Sequence, residues 1–185
     1  MSQTAAAGRP AEPEQLAWFH SLPAAEARGL LLACCAAEPW ASRLVAGRPY
    51  PTVAALLSES DEAVASLTVP ELADALAGHP RIGEQVPAGR EPAGSRSAEW
   101  SHQEQSGMAA ADEPTRQAIA ELNAAYEARF GHIYLVCASG RTAAELLALL
   151  QARLGHDDAA EWRAVRSELQ QINRIRLSKL LAGSA

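Results

Sequence analysis

Three ionisable residues stand where an imidazole, a carboxylate and a guanidinium could share work: His79, Glu104 and Arg176. Thr68-Val69-Pro70-Glu71 is a capping box with proline in the first turn, which predicts a helix start, and Gly78 predicts its end. His79 then emerges past a helix C-terminus, where the macrodipole favours an imidazolium. Pro80 keeps His79 out of the helical region and sets the direction of the exit. A helix expected from near Ser97 puts Ser101, Glu104, Gln105 and Met108 on one face. In a last helix, expected from about Ala159 to Leu181, Trp162, Val165, Leu169 and Ile172 define a buried stripe. The next member of that series is Arg176, which places a charge in the middle of an apolar face. It needs an acidic or carbonyl partner, or an anionic ligand.

Each candidate also has a plainer role. A histidine after a C-cap commonly satisfies terminal carbonyls, and a helical glutamate is usually a solvated charge. Arg176 near the chain end could snorkel its head to water. His20, His102, His132 and His156 read as surface or structural. A zinc set of His79, His102, Glu104 and Cys137 matches none of the usual ligand spacings, so no metal is expected. No Walker loop, dinucleotide glycine pattern or nucleophile elbow is present.

The rest of the chain reads as scaffold. With 185 residues, 48% hydrophobic and only 5% aromatic, it suits one Leu- and Ala-rich core built from helices. The expectation is an all-α, single-domain bundle of about eight to nine helices over residues 14–185, after a disordered leader over residues 1–13. Helices are expected over Glu14 to His20, Pro23 to Ala37 with Pro39 marking the end, and Trp40 to Val45. Two more follow, one from Thr52 and one over Asp61 to Leu67. A Pro/Gly/Ser-rich surface loop is expected over residues 84–97. Glu113-Pro114 and the capping box Thr142-Ala143-Ala144-Glu145 open two further helices. Between them, Ile133 to Ala138 is apolar and partly β-branched. A lone strand would have no partner here, so a buried extended connector is expected, its backbone groups satisfied from elsewhere.

A net charge of −6 argues against nucleic acid as a partner. No apolar run reaches the ~20 residues a membrane span needs. The cysteines Cys34, Cys35 and Cys137 are odd in number and lack Cys-x-x-Cys spacing, so reduced thiols in the cytoplasm are expected.

Four ordered motifs resemble the 2-oxo-4-hydroxy-4-carboxy-5-ureidoimidazoline (OHCU) decarboxylases of urate degradation. They are His79 to Gly83, Ser101 to Met108, Asn123 to Ala138, and the tail Ile172 to Leu177. The likeness runs from about Glu14 to Leu181. It implies an all-α homodimer, no metal or organic cofactor, and production of (S)-allantoin. His79 matches the catalytic histidine, and Pro80 the substrate-contacting proline beside it. Ser101, His102, Gln103, Glu104 and Gln105 match the ligand-binding segment, with Glu104 its essential carboxylate and no separate role for His102 or Gln103. Tyr134, Leu135, Val136, Cys137 and Ala138 match the backbone that grips the heterocycle, and Arg176 an arginine reaching the substrate. On this basis Arg176 and backbone donors near Leu135 to Cys137 should orient the ring, Glu104 and Gln105 should bind its polar edges, and a protonated His79 should deliver a proton to one face. A non-catalytic binding module for a purine-like or carboxylate ligand is the alternative.

Overall fold

The computed structural model describes residues 12–83, 96–108 and 110–183. Among them are nine α-helices: α1 (Glu12–Ser21), α2 (Ala24–Cys34), α3 (Glu38–Ala46), α4 (Val53–Ser66), α5 (Val69–Ala77), α6 (Arg96–Glu104), α7 (Glu113–Phe130), α8 (Ala143–Arg153) and α9 (Asp158–Ala182). None is long and apolar enough to cross a membrane. Most of the expected leader and of the loop over residues 84–97 lies outside the described residues, although α1 already includes Glu12 and Pro13.

Both capping boxes form. The Thr68 and Thr142 side chains each accept from the backbone N–H three residues on, and Glu71 and Glu145 reach back to the capping residues. Other boundaries differ from expectation. Val53 to Ser66 is one continuous helix, because Ser58 to Asp61 holds neither Gly nor Pro to interrupt it. Pro39 opens α3 rather than merely closing α2, since proline needs no amide partner in a first turn. Gly131 ends α7 in the left-handed conformation (φ 74°).

The core has two lobes. Phe19, Leu31, Trp40, Leu44, Leu56 and Leu72 build the first with the inner face of α9. Ile119, Tyr126, Leu146 and Leu150 build the second between α7 and α8. The connector after α7 runs along the seam without forming a strand. Its side chains alternate: Leu135 and Cys137 enter the first lobe, Tyr134, Val136 and Ala138 the second. That two-residue period is the signature of an extended backbone.

Helix α9 is the spine of the first lobe. Its buried stripe holds Glu161, Val165, Leu169, Ile172 and Arg176. Trp162, expected in that stripe, is only half-buried: it flanks the first lobe and also packs on His132. Glu161 takes the inward position because Arg153 Nε donates to it at 2.9 Å, and Tyr126 Oη and Arg153 Nη2 donate as well. Those bonds satisfy a carboxylate that burial alone would expel.

Gly107 lies in the 3₁₀ turn after α6, where its backbone approaches Arg141 closely. A Cβ there would collide with the Arg141 carbonyl oxygen. Gly107→Ala should therefore cost about 1–3 kcal/mol, measured by urea unfolding, as an added methyl in a tightly packed contact does.

Candidate active site

A small hollow opens where α5, α6, the connector and α9 meet. Its lining includes His79 and Pro80 from the end of α5, Ser101 and Glu104 from α6, and Ile172 and Arg176 from α9. Gln105, Tyr134, Leu135, Val136 and Ala138 also reach it. The imidazole, carboxylate and guanidinium, far apart in sequence, therefore share one cavity.

Arg176 is 1% exposed and Glu104 8%. Nε donates to Glu104 Oε1 at 3.0 Å and Nη2 to Oε2 at 2.8 Å, a bidentate pair. Nη2 also donates to Ser101 Oγ at 3.1 Å, and Nη1 to the Cys34 carbonyl at 3.1 Å. The Cys34 carbonyl belongs to the last turn of α2, where helix carbonyls lack internal partners. Arg176 does not snorkel. Four of its five N–H groups are engaged by protein, so its first task is to hold Glu104 against α6.

His79 differs from expectation in its charge. Its Nδ1 lies 3.0 Å from the Ala75 carbonyl, which only a protonated Nδ1 can satisfy. Its Nε2 is shut off from solvent and has no partner. Burial, then the positive charge of Arg176, pushes the pKa down to about 3 despite the Ala75 bond. The end of α5 supplies the carbonyl contact, but desolvation and the nearby cation outweigh it. At neutral pH His79 presents a bare Nε2 lone pair beside the hollow.

The chain after His79 is pinned from three directions. Asn123 donates to the Ile82 carbonyl at 3.0 Å, and Arg81 forms an ion pair with Glu127. Gln105 donates to the Arg81 carbonyl at 3.2 Å and accepts from the Gly83 N–H at 3.0 Å. Gln105 thus lines the hollow while its amide braces this loop. Gln103 is exposed and accepts from Lys179 at 3.2 Å, away from the lining. The His102 side chain lies outside the described residues. The Cys137 thiol faces the first lobe, and its N–H donates to Glu168 at 2.8 Å. Asn123, Glu168 and Arg153 were not anticipated from sequence, because their bonds span 18 to 41 positions and follow no local pattern. Among the described residues no three His, Cys, Asp or Glu side chains gather as a metal site would require.

An all-α chain with a half-buried imidazole, a buried carboxylate–guanidinium pair and an extended backbone around a small hollow is built like an enzyme for a small polar substrate. The OHCU decarboxylase family model matches residues 20–178, and the chain belongs to that family. It is 28% identical over 156 residues to the uric acid degradation bifunctional protein TTL of Arabidopsis thaliana, covering 82% of this chain but 46% of that protein. The chain therefore spans about half the length of that relative. It is 29% identical over 142 residues to the 2-oxo-4-hydroxy-4-carboxy-5-ureidoimidazoline decarboxylase of Amia calva, covering 76% of this chain and 79% of that protein. A crystal structure of an OHCU decarboxylase in the presence of (S)-allantoin superposes with a TM-score of 0.68 at 26% identity, over 81% of this chain and 95% of that one.

Two outcomes are expected. Arg176→Met strands a buried carboxylate and should cost about 3–5 kcal/mol in urea unfolding, while adding Glu104→Leu should recover much of the loss. Acid should also act through His79. The unfolded imidazole takes a proton below its ordinary 6.5, the folded one only near 3, so this group's contribution is complete above pH 6.5 and fades as pH falls through that window. The stability gap between the parental protein and His79→Asn, whose amide can still reach the Ala75 carbonyl, should shift against the parental protein from pH 7 to pH 4.

Proposed function

We propose that the chain decarboxylates OHCU to (S)-allantoin in urate degradation, with His79, Glu104 and Arg176 as the working groups. The observation that carries this is the meeting of a neutral, unpartnered imidazole nitrogen and a buried Glu104–Arg176 pair at one hollow, in a chain of this family. The names of the Amia calva and Arabidopsis relatives supply the substrate and the pathway.

The chemistry suits these groups. In OHCU one ring carbon carries both the carboxylate and a hydroxyl, and its neighbour, the ureido carbon, is double-bonded to a ring nitrogen. When the bond to carbon dioxide breaks, its electron pair becomes a ring carbon–carbon double bond. The former carbon–nitrogen pair moves onto nitrogen, which takes up one proton. The substrate's own ring is the electron sink, so the reaction calls on no cofactor. The resulting enol must lose its hydroxyl proton and gain one at the ureido carbon. A neutral His79 Nε2 can take the first and return it as the second, from the single face it occupies, which sets the S configuration. The expected proton donor is thus first a proton acceptor.

Glu104, held at both oxygens by Arg176, keeps lone pairs for the ureido or ring N–H groups. Pro80, Ser101, Gln105, Tyr134, Leu135, Val136 and Ala138 complete the substrate wall, whereas the Cys137 N–H, expected to face the ring, is turned to Glu168 instead. His102 and Gln103 belong to the same segment of the family motif. The family resemblance supports a homodimer, and three buried cysteines outside any disulfide support the cytoplasm.

Freshly generated OHCU mixed with the protein should yield (S)-allantoin, followed by circular dichroism. His79→Ala should lower kcat by about 10²–10⁴-fold, the usual range for a lost general acid–base group. Tight OHCU binding with no change in its spontaneous decay would identify a binding module instead.

A further inference from the structure

Among the described residues no strand lies beside the connector, yet it forms one wall of the hollow. Two charged side chains take the place of that strand. Arg153 Nη1 donates to the Leu135 carbonyl at 2.6 Å, and Glu168 Oε2 accepts from the Cys137 N–H at 2.8 Å. Each clamp is itself held. Arg153 is paired with Glu161, and Glu168 with Arg141 at 3.2 Å. Arg141 also caps the connector's far end, its N–H donating to the Ala138 carbonyl at 3.1 Å.

In an extended chain, the backbone groups of successive residues point to opposite edges. Leu135 and Cys137 turn theirs toward α8 and α9, where the clamps sit. Those of Val136, which lines the hollow, turn the other way. Among the described residues the Val136 N–H and C=O meet no protein partner. One edge is fixed by side chains so that the other stays open for a planar, amide-like ligand.

We infer that Glu168 is a positioning residue of this site: by holding the Cys137 N–H it sets the register and tilt of the connector's open edge, and so governs how tightly the heterocycle binds. Glu168 stands eight residues before Arg176 on α9, about 12 Å along the helix axis, and does not line the hollow. It acts on the substrate only through the connector. The inference rests on the OHCU reading for the identity of the ligand, but not for the existence of the clamp.

Three variants separate reach from charge. Glu168→Ala removes both. Glu168→Asp keeps the charge but is one methylene too short to reach the Cys137 N–H. Glu168→Gln gives up the charge and keeps an oxygen at the same distance. Positioning predicts that Ala and Asp raise the KM for OHCU about 10-fold or more and weaken (S)-allantoin binding equally, with kcat changed less than about 3-fold. Gln should stay within about 3-fold of the parental protein. Hydrogen exchange at the Cys137 amide should accelerate in Ala and Asp and stay slow in Gln. If Ala fails to fold, the Asp and Gln pair decides alone.

The inference is overturned if Asp performs as well as Gln, if losses simply track thermal stability, or if Cys137 exchange speeds up while KM stays within 2-fold. A parental protein unable to turn over OHCU would remove the activity itself; the Cys137 exchange pattern would still report whether the clamp holds.

Discussion

Everything in this site leans on the Arg176–Glu104 pair. A guanidinium 1% exposed in the middle of an apolar helix face would be untenable without partners, and a carboxylate on α6 almost as buried would be too. Together, with Ser101 and the Cys34 carbonyl, they satisfy one another and tie α2, α6 and α9 into one corner. Such a pair is a weak source of stability, because desolvating two charges offsets most of their attraction. Its yield is geometric: a carboxylate fixed at both oxygens beside a small hollow. The same cation lies near enough to His79 to add to the effect of burial in disfavouring the imidazolium, so one residue both orders the carboxylate and helps keep the imidazole neutral.

A second feature follows from the connector. An extended segment in a helical protein has no ladder to join, so its backbone groups must be met by side chains or by ligand. Arg153 and Glu168 meet one edge and leave the other for the cavity. The Arg153–Glu161–Tyr126 cluster therefore does more than fill the second lobe. It fixes the wall on which a planar heterocycle would lie. Around His79, Asn123, Glu127 and Gln105 perform the same service for the chain leaving α5. Side chains thus brace both backbone segments that border the hollow, the connector and the chain leaving α5.

Much of this was legible in the sequence, for identifiable reasons. Capping boxes at Thr68 and Thr142 act over three residues, so the local sequence contains the whole interaction. Periodicity placed Arg176 on a buried face because α9 is long and regular. The alternation that sends Leu135 and Val136 into different lobes could not be read from an uninterrupted apolar run. Nor could the inward turn of Glu161, which depends on Arg153 and Tyr126 meeting it from α8 and α7. The charge of His79 was misjudged because the dipole of α5 is a local property, whereas burial and the Arg176 field arise only when α9 closes over it. Contacts distant in sequence decided what nearby residues could not.

The chemistry proposed for this hollow depends on the state of one imidazole. Nitrogen-15 NMR of the parental protein at pH 7, with His79 assigned through its loss in His79→Asn, reads that state directly. A neutral ring with the proton on Nδ1 and a bare Nε2 is predicted, persisting as the pH is lowered toward 5. An imidazolium signal at neutral pH, or a neutral ring with the proton on Nε2, would contradict the arrangement derived from Ala75 and Arg176.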